Sequence, residues 1–244
     1  MRPVTSMGKR TMNQLYSDIE ALLGQIPIDF GGGCSLQKAY LLAWLIRRYA
    51  MKTTLDIGVY RGRSLFPQAL AHSRFTGGVV YGVDPWDATE ALEFDVEEKL
   101  RAKIHEFVKK TDFENIYQQV LVLRERLHLK DHCIILRMRS ADAARFFEKQ
   151  GILFDLVHID GNHDTSIVMQ DVELYLPRLK INGFVVIDDI SWKSVRPAYQ
   201  MLSTRLTLVY QSTHLPNDYA IFWNSNSFFS AVMLRLALLV QTKG

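Results

Sequence analysis

Two nearly unbroken apolar, β-branched runs, LeuValHisIle ending at Ile159 and PheValValIle ending at Ile187, each stop on aspartate. Asp160 follows the first, and Asp188 and Asp189 follow the second. A strand written almost wholly in apolar residues is buried on both faces, which happens in parallel sheets covered by helices on each side. In open α/β sheets, ligands bind at the carboxyl ends of the strands. The chain is therefore constrained to an α/β fold with carboxylates gathered at one edge of its sheet.

The rest of the pattern agrees. Strands are predicted near 53–58, 79–83, 133–137, 154–159 and 184–188, and helices at 63–73, between 89 and 130, at 141–149, at 164–179 and near 195–204. Strands near 206–211 and 219–223, joined by the polar loop ThrHisLeuProAsnAsp with no helix between, read as an antiparallel edge hairpin. Together these give a Rossmann-like, doubly wound, seven-stranded, mostly parallel sheet with helices on both faces. Ahead of it, Met12, Leu15, Ile19, Leu22 and Leu23 share a helical face, and Ser35 is a candidate N-cap for a second helix. The domain reading is an N-terminal helical extension over 1–35, one domain over 36–224 and an apolar C-terminal helix over 225–244. The charged helix beginning ValGluGluLysLeuArg reads as a solvated face.

A chain of 244 residues holds one large domain with a real core. The net charge of +3 is spread among acids, so nucleic acid is not an expected partner. Only Cys34 and Cys133 are present and no apolar leader opens the chain, so a cytoplasmic protein without a disulfide framework is expected. Residues 228–240 are apolar nearly all round but too short to span a bilayer. They are expected to pack on the domain or on a second subunit of a homo-oligomer, the alternative being peripheral contact with a membrane-bound substrate.

Asp160, Asp188 and Asp189 form the candidate metal site. No Cys or His pair with zinc-like spacing accompanies them, so an oxygen-only set points to magnesium, calcium or manganese. After the first strand, Asp56-x-Gly58-x-x-x-Gly62 reads as a turn that passes close to a ligand before a helix N-terminus. Its spacing is not the Gly-x-Gly-x-x-Gly of dinucleotide sites. Asp84 ends the second strand, where an acid can accept hydrogen bonds from ribose hydroxyls, with Trp86 beside it to cover a purine or an acceptor. Ser140 is a candidate N-cap, with Ala141 and Asp142 in the first turn of its helix, able to contact an adenine. Asp164 is predicted to cap the next helix, Asp171 to lie on that helix's exposed face, and His158 to serve packing or support from inside a strand. The acceptor pocket is expected from Gly31 to Cys34, Tyr60, Arg61, Trp86 and Ser191 to Lys193.

AspIleGlyValTyrArgGly, TyrGlyValAspProTrp, HisIleAspGlyAsnHis and GlyPheValValIleAspAsp, in this order, resemble the class I S-adenosylmethionine-dependent methyltransferases over roughly residues 36–224. The nearest resemblance is to the metal-dependent group with macrocin-type sugar O-methyltransferases and cephalosporin-hydroxylase-like proteins, and more distantly to catechol O-methyltransferase. The resemblance implies S-adenosylmethionine held by Asp56, Gly58, Tyr60, Gly62, Ser64, Asp84, Trp86, Ser140, Ala141 and Asp160, and a divalent metal, magnesium, on Asp160, Asp188 and Asp189. It implies His163 and Asp160 as catalytic residues. His163 stands where catechol-type enzymes place a lysine base, and Asn162 where sugar-modifying relatives often carry an acid. The expected acceptor is a sugar hydroxyl of a glycan or natural product, with a catechol or other small phenol as the alternative. A nicotinamide-dependent oxidoreductase, which has no use for the three carboxylates, and a non-catalytic S-adenosylmethionine-binding protein stay open at this point.

Overall fold

The computed structural model describes residues 11–30, 33–213, 218–225, 234–235 and 237–238. Gly31, Gly32 and most of the 228–240 segment lie outside the described residues. Helix α1 (Met12–Leu23) starts on Thr11, whose side chain accepts from the Gln14 N–H, and buries Leu15, Ile19, Leu22 and Leu23 as its apolar spacing requires. Helix α2 (Leu36–Arg48) starts on Ser35, whose Oγ accepts from the Lys38 N–H at 3.1 Å.

The sheet holds β1 (Thr53–Ile57), β2 (Val79–Asp84), β3 (Cys133–Arg137), β4 (Phe154–Ile159), β5 (Leu179–Asp188), β6 (Thr207–Ser212) and β7 (Tyr219–Trp223), in the order β3-β2-β1-β4-β5-β7-β6. The first five strands are parallel, and β7 runs antiparallel to both β5 and β6. Helices α3 (Leu65–Ala71) and α5 (Phe113–Arg126) join α1 and α2 on one core. Helices α6 (Ser140–Lys149), α7 (Thr165–Tyr175) and α8 (Arg196–Arg205) build the other. Helix α4 (Glu98–Lys110) buries only Ile104 and Val108, in a small third cluster, and leaves its charged side to solvent. Because β2 lies to one side of β1 and β5 to the far side of β4, the winding reverses between β1 and β4, and a crevice opens at their carboxyl ends.

Boundaries differ from expectation where local chemistry breaks the pattern. Helix α7 stops at Tyr175 instead of 179, because Pro177 lies in the following 3₁₀ turn and cannot continue an α-helix. Strand β5 begins at Leu179, ahead of its apolar run; Ile181 there is 85% exposed, so no burial pattern marks this half. Helix α3 is shorter than 63–73 and passes into a π-helical turn, His72–Thr76, that ends on Gly77 at φ 60°. Asp171, expected on an exposed face, is 1% exposed, because α7 packs that side against the sheet.

At the far end of the chain, Leu234 and Leu238 are buried in the core of α1 and α2, and the Arg235 Nε donates to the Leu208 carbonyl at 3.0 Å. The described part of this segment thus packs on the domain. Among the described residues no helix is long and apolar enough to cross a membrane.

Two expectations follow for stability. Leu238→Ala should cost about 2–4 kcal/mol in denaturant unfolding, since Leu238 is fully buried; an unchanged midpoint would place the segment off the domain. The second concerns His72, fully buried between the hydroxyls of Thr54 (3.0 Å) and Thr76 (2.8 Å). Burial, helped by nearby His132, lowers its pKa to about 4. The unfolded chain therefore takes up the proton first, and stability present above the unfolded pKa near 6.5 is lost as pH falls toward 4, by up to about 3 kcal/mol. Unfolding measured across that window should show a shallower slope in His72→Gln than in the wild type.

Candidate active site

The exits of β1 and β4 meet through a glycine. Gly58 has φ 84°, and a Cβ there would stand 1.9 Å from the Asp160 carbonyl oxygen, so no other residue lets the two strand ends come this close. Cross-strand bonds hold the junction, with Asp160 N–H donating to Ile57 and Gly58 N–H to Val83, each at 3.0 Å. Tyr60, Trp86 and Asp189, at the ends of three different strands, are non-glycine residues in the left-handed region, at φ 47°, 44° and 51°. Such conformations persist only where the surroundings over-determine them.

Asp84 supplies part of that constraint. Its carboxylate accepts from the Tyr60 N–H at 2.9 Å and the Trp86 N–H at 2.7 Å, and burial raises its pKa to about 6 against the pull of those amides. Trp86 is 2% exposed; its indole N–H donates to the Tyr60 carbonyl at 2.9 Å and its ring packs on Tyr117. It braces the turn and offers no free face to a purine or an acceptor. Gly33, Cys34, Gly58, Tyr60, Ser64 and Asp160 line a narrow cleft of about 20 Å³ at this turn. A wider cleft of about 350 Å³ between residues 25–27 and α5 shares only Arg61 with it and carries no acid or imidazole.

Beneath the turn runs a chain of buried charges. Asp56, fully buried, accepts from Ser64 Oγ at 2.8 Å, Gln68 Nε2 at 3.3 Å and His158 Nδ1 at 2.5 Å. It thus anchors the turn from below and is absent from the cleft's lining. The other ring nitrogen of His158 reaches Asp188 Oδ1 at 3.1 Å. Burial opposes a charge on His158, but the carboxylates of Asp188 and Asp56 override it and push its pKa up to about 10. Asp188 Oδ2 accepts from Lys38 Nζ, which is also 3.5 Å from Asp160 Oδ2. Despite its burial, Asp188 is held well below the usual carboxylate range by Lys38 and His158. Asp160 moves the other way, raised by burial and by the neighbouring Asp188 charge.

A second, shallower group faces outward. His163 donates from Nδ1 to Glu93 Oε1 at 2.7 Å, and its backbone N–H donates to the same oxygen at 3.1 Å. Its Nε2 lies 2.9 Å from Asp189 Oδ2, off the hydrogen-bonding direction, and 3.8 Å from Asp160 Oδ1. Burial disfavours its charge, yet Glu93 and Asp189 hold the pKa well above the ordinary histidine value. The Trp192 ring packs 4.6 Å from the imidazole.

The loop that carries His163 also clamps residues 90–95. Asn162 Nδ2 donates to the carbonyls of Glu90 (3.1 Å) and Leu92 (2.8 Å), and Asp164 Oδ1 accepts from the N–H groups of Phe94 (2.7 Å) and Asp95 (2.8 Å). Asp164 occupies the N-cap position of α7, but Asp95 is the side chain that bonds the helix's first N–H, that of Thr165, at 3.0 Å. The cap of α6 also differs from expectation. Arg139 holds that position and Ser140 is the first helical residue, its carbonyl accepting from Tyr175 Oη at 2.7 Å. Asp142 pairs with Arg139 and Arg145, and neither it nor Ala141 reaches the cleft lining.

Sequence reasoning missed Lys38 and Glu93. Lys38 had a signal, because it shares a helical face with Leu41, Leu42 and Leu45, and a lysine on a buried face needs a buried partner. Glu93 had none, since it lies in an irregular segment whose position only the clamp defines.

A family model described as "Methyltransferase domain" matches residues 55–190. No curated protein matches the chain. Among solved structures, the chain is similar to an O-methyltransferase from Bacillus cereus in complex with SAH, at 15% identity and TM-score 0.55, over 90% of this chain and 93% of that one. It is also similar to the O-methyltransferase TomG from Streptomyces achromogenes, involved in tomaymycin synthesis and solved with SAM, at 14% identity and TM-score 0.60, over 91% and 94%. The O-methyltransferase NovP aligns at 10% identity and TM-score 0.63, over 88% and 98%. At these identities the likeness is one of fold.

Lys38 lies outside the matched residues, yet the buried Asp188 depends on it. Lys38→Met should cost about 3–5 kcal/mol in denaturant unfolding at neutral pH, by leaving an uncompensated buried carboxylate. A loss under about 1 kcal/mol would mean that His158 alone neutralises Asp188.

Proposed function

Because the chain belongs to the methyltransferase-domain family, we propose that it is an S-adenosylmethionine-dependent, divalent-metal-assisted O-methyltransferase acting on a hydroxyl of a sugar or other natural product. The observation that carries the reading is a shared wall: Asp160 lines the cleft at the Gly58 turn and is also a member of the acidic cluster with His163 and Asp189. A methyl donor in the cleft and an acceptor at the cluster would thus be neighbours, as in-line displacement requires.

The residues fit the donor. Gly58 brings backbone rather than side chain to the cleft, whereas Gly62 packs on the Phe66 ring, and Asp84, fixed by the amides of Tyr60 and Trp86 beside the turn, retains lone pairs for ribose hydroxyls. S-adenosylmethionine would supply the methyl group: the acceptor oxygen would bond the methyl carbon as the S–CH₃ electron pair returns to sulfur, and the hydroxyl proton would pass to a carboxylate of the acidic cluster at Asp160 and Asp189. A divalent cation on the acidic cluster would lower the pKa of the acceptor hydroxyl and orient its oxygen. The protein's own part is to hold the partners in line and keep water out. Residues 90–95, clamped over the His163 loop, and Trp192, packed on the imidazole, serve that exclusion. Structural relatives whose names place them in natural-product synthesis, TomG among them, support this acceptor class.

The test is a labelled-methyl assay across sugar, polyol and phenol acceptors with and without chelator, beside calorimetry with S-adenosylmethionine. Micromolar cofactor binding and chelator-sensitive methylation are expected, and tight NAD binding in its place would overturn the reading. Asp160→Asn should lower kcat on the order of 100-fold or more while cofactor affinity stays within about 3-fold. Loss of cofactor binding in that variant would show that Asp160 serves the donor and not the acceptor.

A further inference from the structure

We propose that the divalent cation is held by Asp160, His163 and Asp189, with Glu93 orienting His163, and that Asp188 is not a ligand. This assignment rests on the metal-assisted reading for its role in catalysis, whereas cation binding itself is measured directly.

Asp188 is excluded by what surrounds it. One oxygen is taken by Lys38 and the other by His158, and both partners are almost completely buried, at 1% and 0% exposed. A cation there would have to displace a buried ammonium from its ion pair. His158 is closed in the same way, with one ring nitrogen on Asp56 and the other on Asp188, so the trio His158, Asp160 and Asp188 offers no free imidazole.

The outer trio is open. A carboxylate oxygen from each of Asp160 and Asp189 and a His163 nitrogen all lie within 4.8 Å of one another. His163 Nε2 is 2.9 Å from Asp189 Oδ2 and 3.8 Å from Asp160 Oδ1. Neighbouring ligands on an ion with bonds of ~2.1 Å stand roughly 3.0–3.4 Å apart, so these spacings need only small adjustment.

The independent sign of a ligand is on the histidine. Nε2 is buried and has no hydrogen-bond partner, although a carboxylate stands within 3 Å of it. The opposite nitrogen is fixed on Glu93, a residue 6% exposed, at 2.7 Å. An imidazole whose far nitrogen donates to a carboxylate, with its near nitrogen free and facing two more, is how proteins present histidine to a metal. The mixed oxygen and nitrogen set favours manganese or a later divalent ion over magnesium.

Mn²⁺ alone is the probe, titrated into the full chain and followed by electron paramagnetic resonance. One bound ion is expected, with spin-echo modulation from a directly coordinated nitrogen that changes pattern when the histidines are ¹⁵N-labelled, a measurement that leaves the fold untouched. His163→Gln, which keeps an amide for Glu93, should abolish the nitrogen modulation; Glu93→Gln should weaken Mn²⁺ binding on the order of 10–100-fold. Bound Mn²⁺ without nitrogen coupling, or coupling that survives in folded His163→Gln, overturns the ligand assignment and leaves metal assistance standing. No Mn²⁺ binding at millimolar concentration overturns both.

Discussion

The interaction on which the rest depends is the buried charge chain Asp56, His158, Asp188 and Lys38. It crosses three adjacent strands at their exits, and Lys38, from a helix that precedes the sheet, completes it. Each member is nearly or fully buried, so each would be costly alone and is tolerable only because its neighbours carry the opposite sign. The chain ties the turn after β1, through Ser64 and Gln68, to the acids that end β4 and β5. The cleft at the Gly58 turn and the acidic cluster of Asp160, His163 and Asp189 are therefore two faces of one block, and their separation is set by the sheet.

Above that block sits a layer held by weaker means. Residues 90–95 attach to the His163 loop through hydrogen bonds from Asn162 and to Asp164, and through Asp95 to the start of α7. Glu93 enters the site only because this clamp places it there. Asn162 has a reason in the same geometry: its side chain faces the covering segment and closes it down, where an acid could not donate to two carbonyls.

Much of the fold was legible because burial on both faces leaves an unmistakable record in composition. The runs ending at Ile159 and Ile187 fixed two central strands, and the helix-free link after residue 212 marked the antiparallel edge. Legibility failed where burial is one-sided or absent, as in the first half of β5, or where proline cut a helix short, as at Pro177. Roles at helix starts were the least secure. Asp164 and Ser140 both look like caps in sequence, yet Asp164 was recruited by a distant segment and the start of α6 fell one residue earlier.

By itself, then, the sequence determined which residues end the strands, and hence that Asp56, Asp84, Asp160, Asp188 and Asp189 gather at one edge of the sheet, because strand order and polarity follow from local patterning. Only the tertiary structure decided what those acids do. Carboxylates at one sheet edge differ by what packs against them, and that comes from residues far along the chain. Lys38 makes Asp188 an internal anchor, and His158 makes Asp56 another. Glu93 aims His163 at Asp160 and Asp189, the two acids left facing outward.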